Sequence, residues 1–412
     1  MLTVDGGIGK NRTARAEINV LNADRTPCAG QELTIEQTRH QFLFGTAGFD
    51  LALANGELAG EEKERAEERA AKLATLFNFV TLPFYWGRFE PRPGRPLTER
   101  LMKAAGWCVD RGLRVKGHPL CWHTVTADWL LTMSNREILA AQIGRIRREV
   151  ADFRGAIDMW DVVNEAVIMP VFDRYDNGVT RLCKELGRIW TVKAMFEAAR
   201  DANPDAVLLL NDFDTSSAYE ILIEGCLEAG IRIDAIGIQS HMHQGYWGVE
   251  KTLRILERFA RFNLPLHFTE TTIVSGNLMP PEIVDLNDYR VDEWPTTPAG
   301  EERQAREVVQ HYRTLFAHPA VEAITWWVFS DGGWLGAPAG LVRRDGSSKP
   351  AYEELRRLIR GEWWTGPVRT ATDGEGRVRF TGFLGEYELT CRGQKRSFAL
   401  DRQGTATIEI LL

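Results

Sequence analysis

The stretch Met159–Ala166, MWDVVNEA, has the pattern of a buried strand that ends in an amide and a carboxyl. Four of its first five residues are apolar and two are β-branched, which is typical of a parallel strand covered on both faces. The run then stops at Asn164 and Glu165. Packing does not explain a carboxylate at the end of a buried strand, which suggests a functional role for Glu165. The ordinary alternative is that Glu165 is a solvated residue at the start of a loop.

A second run of the same type, Leu264–Glu270, lies downstream and reads LPLHFTE. It again passes from apolar residues into a terminal glutamate, Glu270. Two carboxyls at the ends of two strands favour acid/base chemistry over two unrelated surface residues. Glu165 and Glu270 are therefore the candidate catalytic residues.

The composition limits the class of protein. The chain has 412 residues, 44% apolar and 26% charged, so it can bury one large core and carry a small second module. Its net charge of −7 argues against nucleic acid as a partner. We expect no membrane partner, because no run approaches the roughly 20 apolar residues of a transmembrane helix. Met1–Gly7 lacks the features of a signal peptide, so a cytoplasmic or a mature secreted location stays open.

The cysteines are dispersed along the chain, with no CxxC pair and no metal-ligand spacing. They are Cys28, Cys108, Cys121, Cys183, Cys226 and Cys391. We expect buried free thiols, no metal and no cofactor.

Segments of strand and helix type alternate from residue 42 onwards. The predicted strands end near Ala47, Leu82, Leu120, Glu165, Phe213, His241, Glu270 and Phe329. The predicted helices cover residues 61–76, 96–111, 134–153, 181–202, 217–229, 249–262, 301–316 and 350–360. Strict alternation predicts a parallel sheet, and eight units predict an α/β fold of the closed (β/α)8 TIM-barrel type. A doubly wound open sheet is the alternative, but no GxGxxG follows the first strand.

Short β patterns flank the predicted barrel. Residues 13–40 contain two strand-like runs around a turn, which predicts an N-terminal β-hairpin. Residues 362–412 carry further β patterns separated by turns. About fifty residues are marginal as an independent fold, so we expect them to pair with the hairpin. The result would be a small β-sandwich-like accessory module, structural in role, beside a catalytic barrel of residues 41–361.

The barrel prediction places both glutamates at one end, because TIM-barrel active sites lie at the carboxyl ends of the strands. Other predicted strands end in polar and aromatic residues of the same kind, in Gly117–His123, Asn211–Asp214, Gln239–His243 and Trp326–Asp331. Histidines are frequent there, which makes a metal site an alternative. The abundant tryptophan and the amide beside Glu165 instead favour a neutral, hydroxyl-rich, ring-shaped substrate.

Paired carboxyls among aromatic residues suit cleavage of a glycosidic bond. One carboxyl protonates the leaving oxygen, and the other attacks the anomeric carbon or activates water. Five motifs stand out in residues 42–360, namely Gly117–His123, Trp160–Ala166, Ile236–His241, Thr269-Glu270 and Lys349–Tyr352. Together they resemble glycoside hydrolase family ten, whose best-known members are retaining endo-1,4-β-xylanases.

The resemblance implies a role for each matching residue. Glu165 would be the general acid/base and Glu270 the nucleophile. Asn164 would bind the substrate hydroxyl next to the anomeric centre, and His241 would hold the carboxylate of Glu270. The residues implied to line the sugar subsites are His118, Trp122, His123, Gln239, Trp327 and Trp334. For Trp122 and Trp334, a core position near the barrel mouth is a competing interpretation.

The chain departs from the family on the non-reducing side of the substrate. Members usually carry a Glu-Asn pair and a Lys followed by Trp there, whereas residues 81–91 read TLPFYWGRFEP. We expect Trp86 to contact the sugar and Arg88 to replace the missing lysine. Loss of hydrogen-bonding groups predicts lower activity on polymeric xylan than on short oligosaccharides or aryl glycosides. The long loop at 271–300 is expected to cover the leaving-group side.

The predicted function is retaining hydrolysis of β-1,4-linked xylan or xylo-oligosaccharides by a monomer whose partner is an oligo- or polysaccharide. Two alternatives stay open. One is an exo-acting or aryl-preferring β-glycosidase, and the other is a non-catalytic glycan-binding barrel. Retention of Glu165 and Glu270 favours an enzyme, because binding alone needs no nucleophile.

Overall fold

Eight parallel strands close into a barrel in the computed structural model, which describes residues 4–54, 58–289 and 291–412. In chain order the strands are β1 Thr13–Leu21, β2 Glu32–His40, β3 Leu43–Ala47, β4 Phe79–Pro83, β5 Arg114–His118, β6 Met159–Asn164, β7 Val207–Asp212, β8 Ala235–Met242, β9 Leu266–Ile273, β10 Val321–Trp326, β11 Val368–Ala371, β12 Arg377–Phe383, β13 Gly385–Cys391, β14 Gln394–Leu400 and β15 Gly404–Leu411. The barrel runs in the order β10-β3-β4-β5-β6-β7-β8-β9. The predicted (β/α)8 barrel is therefore confirmed.

Helices cover the outside of the barrel wherever the sequence predicts them. They are α1 Val4–Arg12, α2 Phe49–Ala54, α3 Gly60–Leu76, α4 Trp86–Phe89, α5 Thr98–Val109, α6 Asn135–Asp152, α7 Gly178–Leu186, α8 Arg188–Ala202, α9 Ser217–Glu228, α10 Gly248–Ala260, α11 Pro298–Ala317 and α12 Pro350–Arg357. The helix predicted at 181–202 is two helices, because Gly187, at a φ of 79°, ends α7 in a conformation that favours glycine. Sequence reasoning missed α1, α2 and the short α4. Within the described residues, no helix combines the length and the apolar character that crossing a membrane requires.

The strand that carries the Asn-Glu pair lies at the centre of the barrel packing. Every residue of β6 is buried, and Trp160 is its largest side chain. A Cβ at Gly117 on the neighbouring β5 would lie 2.1 Å from the Trp160 ring. A residue without a side chain is needed there, and it lets β5 pack closely against β6. The close packing brings His118 of β5 next to Asp161 of β6.

The strands outside the barrel form a two-sheet module. Its sheets have the orders β12-β1-β15 and β11-β2-β13-β14. Buried residues from both sheets share one core, among them Ile18 and Val20 of β1, Ile35 of β2 and Leu389 of β13. The predicted pairing of the N-terminal segment with the C-terminal strands is thus confirmed.

The predicted hairpin of residues 13–40 is wrong, because β1 and β2 lie in different sheets and pair with C-terminal strands instead. The connection at 22–31 is long and forms its own small turn, in which Leu21 bridges to Pro27. Each of the two strands buries one face. Placing them in facing sheets lets both faces contribute to the same core.

The module is attached to the end of the barrel where the strands begin. Arg12, just before β1, donates hydrogen bonds to the carbonyl oxygens of Phe316, His318 and Val321 at 2.6, 2.5 and 2.7 Å. Trp363, at the start of the C-terminal segment, is buried against Phe316. The opposite end, where β6 and β9 deliver their glutamates, is left uncovered by these contacts.

Candidate active site

Glu165 follows β6 directly and has a φ of 58°, in the left-handed region. Such a conformation costs a non-glycine residue about 1–2 kcal/mol. Its backbone N–H donates to the carbonyl oxygen of Asn211 at 2.8 Å, which holds the turn in place. The turn ends the strand abruptly and leaves the carboxyl on the wall of a large cavity.

Four side chains surround the Glu165 carboxyl. The Trp122 indole Nε1 donates to Oε2 at 2.8 Å, and the amides of Gln239 and Asn164 donate to Oε1 at 3.1 and 3.3 Å. His123 Nε2 lies 3.8 Å from Oε2. Burial raises the pKa of Glu165 to about 7, and the charge of Glu270 adds to that rise, while the three donors oppose it. Glu165 is thus suited to hold a proton near neutral pH.

Glu270 lies on β9 and faces the same cavity. Asn211 Nδ2 donates to its Oε1 at 3.0 Å, and His241 Nε2 lies 3.2 Å from its Oε2. His118 Nε2 lies 3.8 Å from Oε1. Burial raises the pKa of Glu270 to about 7, against the lowering effect of His118. Because the ionised forms of two such carboxyls oppose each other, the pair tends to hold one proton in this range.

His241 contacts Glu270 as a neutral ring. Burial lowers the pKa of His241 to about 3. Because an ionised Glu270 carboxylate can only accept, the tautomer that suits it carries the proton on Nε2 and donates to Oε2, and Nδ1 then accepts from Thr272 Oγ1 at 3.1 Å. The indole of Trp334 stacks on the ring with centroids 4.4 Å apart and planes inclined by 14°. The predicted proximity of His241 to the Glu270 carboxylate is found.

Asn211 connects the two halves of the site, and sequence reasoning gave it no role of its own. Its Nδ2 lies 2.7 Å from Asn164 Oδ1 as well as 3.0 Å from Glu270, while Thr269 Oγ1 donates to its Oδ1 at 2.5 Å. A Cβ at Gly237 would lie 2.3 Å from that same Oδ1. The sequence signal that could have identified Asn211 as a site residue was its position at the end of a predicted strand, beside Asp212.

A buried ion pair lies beneath the carboxyls. Asp161 Oδ2 is 2.7 Å from both Lys116 Nζ and His118 Nδ1. Burial alone would raise the pKa of Asp161, but Lys116 and His118 together hold it below its ordinary value. The ionised Asp161 fixes the orientation of His118 towards Glu270.

The cavity has a volume of about 1170 Å³ and takes in most of the predicted site. The predicted residues that line it are Arg88, His118, Trp122, His123, Glu165, Gln239, His241, Glu270, Trp327 and Trp334. Asn164 is buried behind this wall, at 1% exposure, and its predicted bond to a substrate hydroxyl stays a prediction. The Trp327 indole meets His118 edge to face at 5.1 Å. Aromatic and amide groups around two carboxyls form a surface suited to sugar rings.

A family model described as glycosyl hydrolase family 10 matches residues 42–358. The chain belongs to this family. The resemblance carried by the five motifs is confirmed, and with it the class of glycoside hydrolases.

Individual relatives agree with the family model. Endo-1,4-beta-xylanase B of Thermotoga neapolitana is 27% identical over 296 residues, which cover 66% of this chain and 78% of the relative. Anti-sigma-I factor RsgI6 of Acetivibrio thermocellus is 25% identical over 401 residues, 93% of this chain, but the match spans only 45% of that protein. The crystal structure of xylanase 10B from Thermotoga petrophila RKU-1 in complex with xylobiose has the same fold, with a TM-score of 0.63 at 23% identity, covering 78% of this chain and 95% of that one.

The structure corrects the role predicted for Trp86 in this family 10 barrel. Its indole is 4% exposed, donates to Glu90 Oε2 at 3.2 Å and packs edge to face on Trp129. It does not line the cavity described above, because α4 begins at this residue and turns its side chain into the core. The preceding Tyr85 lines the cavity instead, 5.6 Å from the Trp122 ring.

The rest of the divergent segment divides between the core and the cavity. Phe84 is fully buried against Trp160. Arg88 is exposed, lines the cavity and lies 5.9 Å from the Tyr85 ring. Its predicted replacement of the family's lysine stays a prediction.

The histidines at the strand ends contact carboxyls and aromatic rings. Among the residues that the structure describes, no group of three or more His, Cys, Asp or Glu side chains is placed to hold a metal ion. The six cysteines are all free and buried. The prediction of buried thiols is confirmed.

Proposed function

We propose that this chain is a retaining glycoside hydrolase that cleaves β-1,4-linked xylan or xylo-oligosaccharides by double displacement. The observation that carries the proposal is the pair Glu165 and Glu270, which face one cavity from β6 and β9, each with its own set of hydrogen-bond donors. Two carboxyls with perturbed pKa in a cleft lined by aromatic rings are what this reaction needs.

In the first step, Glu270 attacks the anomeric carbon while Glu165 gives its proton to the leaving oxygen, so the glycosidic bond breaks as the glycosyl ester forms. Formation of the ester removes the negative charge of Glu270. Because that charge raises the pKa of Glu165, its removal makes Glu165 a stronger acid and readily ionised. In the second step, the ionised Glu165 takes a proton from water, the water attacks the anomeric carbon, and Glu270 leaves as carboxylate.

The non-reducing side of the substrate is proposed to lie along Tyr85 and Arg88. A phenol ring and one exposed guanidinium replace the amide, carboxylate and ammonium groups usual in the family. Fewer polar contacts with each sugar favour short oligosaccharides or aryl glycosides over polymeric xylan. Both endo-acting and exo-acting cleavage fit this proposal. Analysis of the products distinguishes the two.

Three measurements test the proposal. Proton NMR of the first-formed product from an aryl β-xyloside should show the β-anomer, and a 2-fluoro xyloside with a good leaving group should label Glu270. A crystal structure should show the carboxyls about 5–5.5 Å apart, since an inverting enzyme needs about 6.5–9.5 Å. An α-anomer as the first product would refute the retaining mechanism.

Glycan binding without turnover is a second candidate function. It is favoured by the match to RsgI6 over 93% of this chain, because that protein is named as an anti-sigma factor and not as an enzyme. Calorimetric titration with xylo-oligosaccharides, combined with product analysis after long incubation, separates the two candidates. Binding with no product would favour the second.

A further inference from the structure

An ionic bridge joins two loops above the cavity. Arg174, in the loop after β6, donates to both carboxylate oxygens of Asp288 at 2.9 Å, one from each terminal nitrogen. Its Nη2 also lies 2.6 Å from Asp285 Oδ2. Both aspartates belong to the long loop after β9, so one guanidinium ties the two loops together.

The barrel order shows what the bridge crosses. β7 and β8 lie between β6 and β9 in the barrel. A link between the loops that follow β6 and β9 therefore passes across the ends of the two strands between them. The cavity wall there includes Phe213, His243 and Trp247, and Arg174 and Asp285 line the cavity as well.

The bridged part of the cavity is the side of the general acid. Phe172, two residues before Arg174, packs on His123 with ring centroids 4.5 Å apart, and His123 lies 3.8 Å from Glu165 Oε2. Tyr85 marks the other, glycone side. The acid protonates the leaving oxygen, so the bridge lies over the region where the leaving group sits.

The loop after β9 is also held against its neighbours by hydrogen bonds that do not involve Arg174. The Gln244 amide donates to the carbonyl oxygens of Pro280 and Ile283 at 3.0 and 2.8 Å. The backbone N–H of Met279 donates to the carbonyl oxygen of His243 at 3.0 Å. These bonds hold the first part of the loop on the β8 side, and Arg174 attaches the part that reaches towards β6.

We propose that Arg174, Asp285 and Asp288 form a bridge that limits the length of the leaving group and makes this site select short glycans. This proposal rests on the proposed function. A short leaving group fits beneath the bridge, whereas a long chain that continues past it must break the ion pairs. The pairs are partly exposed, so their strength is modest and depends on salt.

The test compares Arg174→Ala and Arg174→Glu with the full wild-type chain. Arg154→Ala is the matched control, since Arg154 pairs with Asp205 at 3.2 Å at the opposite end of the barrel. The readout is kcat/KM on unsubstituted xylan divided by kcat/KM on an aryl β-xyloside. We expect a rise of about two- to fivefold in Arg174→Ala, and a larger rise in Arg174→Glu, which repels both aspartates. Arg154→Ala should match wild type.

Salt supplies an independent readout. Raising the ionic strength should increase the same ratio in wild type and leave it unchanged in Arg174→Ala, because salt weakens exposed ion pairs. Calorimetric binding of xylo-oligosaccharides of increasing length should rank the variants in the same order, and combining each variant with Glu270→Ala removes turnover from this measurement.

The outcomes separate the bridge from the proposed function. If wild type hydrolyses the aryl xyloside but neither Arg174 variant changes the ratio, the bridge proposal is overturned. If wild type turns over no glycoside, the proposed function fails, and oligosaccharide binding then decides about the bridge. If binding depends on the length of the oligosaccharide in the same way in wild type and in Arg174→Glu, the bridge proposal is overturned.

Discussion

Trp122 and Glu165 are joined by a hydrogen bond of 2.8 Å from the indole Nε1 to the carboxylate Oε2. An N–H donor stabilises the ionised form of a carboxyl, so this bond lowers the pKa of Glu165 against the raising effect of burial. The indole, together with the Gln239 and Asn164 amides, therefore limits how far the pKa of Glu165 rises.

Replacing Trp122 with Phe should move the alkaline limb of the pH–rate profile upwards. The change keeps an aromatic ring and removes the donor, so the pKa of Glu165 rises, by about one unit if the bond contributes roughly 1.4 kcal/mol. The profile of kcat/KM on an aryl xyloside measures the shift. Trp129→Phe, which loses an indole bond of 3.1 Å to the Glu90 carbonyl oxygen, is the control. An unmoved alkaline limb in Trp122→Phe would contradict the assignment of Glu165 as the acid.

The two glutamates should respond differently to the leaving group. Glu270→Ala should abolish turnover of every substrate, because no nucleophile remains. Glu165→Ala should lose about 10²–10⁴-fold on xylo-oligosaccharides but retain far more activity on aryl xylosides with acidic leaving groups, which need little protonation. Single-turnover rates on a series of aryl xylosides provide the measurement. Equal losses across the series would argue against Glu165 as the general acid.

Glu270→Gln should stabilise the protein above neutral pH. Burial raises the pKa of Glu165 and Glu270 from 4.5 to about 7. Between these two values the folded state binds more protons than the unfolded state, so the free energy of unfolding falls as pH rises through that window. Removing the charge of Glu270 should raise the free energy of unfolding by about 1–3 kcal/mol at pH ~8 and change it little at pH ~4.

Denaturant unfolding of wild type and Glu270→Gln at both pH values provides the measurement. Asn211 can still donate to the Gln oxygen, and His241 can exchange its proton between ring nitrogens to accept from the Gln amide. If the difference in stability between the two proteins does not change with pH, the charge of Glu270 does not destabilise the folded protein.

Tyr85 should make the contact with the sugar that the sequence analysis assigns to Trp86, and Trp86 should contribute to stability. Tyr85→Ala should raise KM for xylo-oligosaccharides about tenfold, by loss of roughly 1–2 kcal/mol of contact, with little effect on stability. Trp86→Phe should leave KM unchanged and lower the free energy of unfolding by about 1–3 kcal/mol, through a lost bond to Glu90 and a void beside Trp129. Urea unfolding and steady-state kinetics on both variants provide the measurements. A raised KM in Trp86→Phe with normal stability would restore the original prediction.

The barrel and its two glutamates could be predicted from local pattern. A buried parallel strand requires an unbroken apolar run, and a polar residue that ends the run marks the carboxyl end of the strand, as at Asn164-Glu165 and Glu270. Eight such runs with helices between them leave few ways to bury every apolar face. The order of residues along the chain was therefore enough to place these side chains at one end of one barrel.

Other features depended on contacts between distant segments. Tyr85 and Trp86 are adjacent aromatic residues, and only the start of α4 decides which ring faces the cavity. The roles of Asn211, and of Arg174 with its two aspartates, arise where separate strand ends and loops meet.

The sequence by itself thus determined the barrel and the placement of both carboxyls, because each follows from apolar runs within short segments, and it indicated the family through the resemblance of five short motifs. Tertiary structure alone decided the separation of β1 and β2 into two different sheets, the core position of Trp86 and the bridge above the leaving-group side. The physical reason is that each of these depends on backbone turns and on the geometry of packing between segments far apart in the chain, which no local pattern encodes.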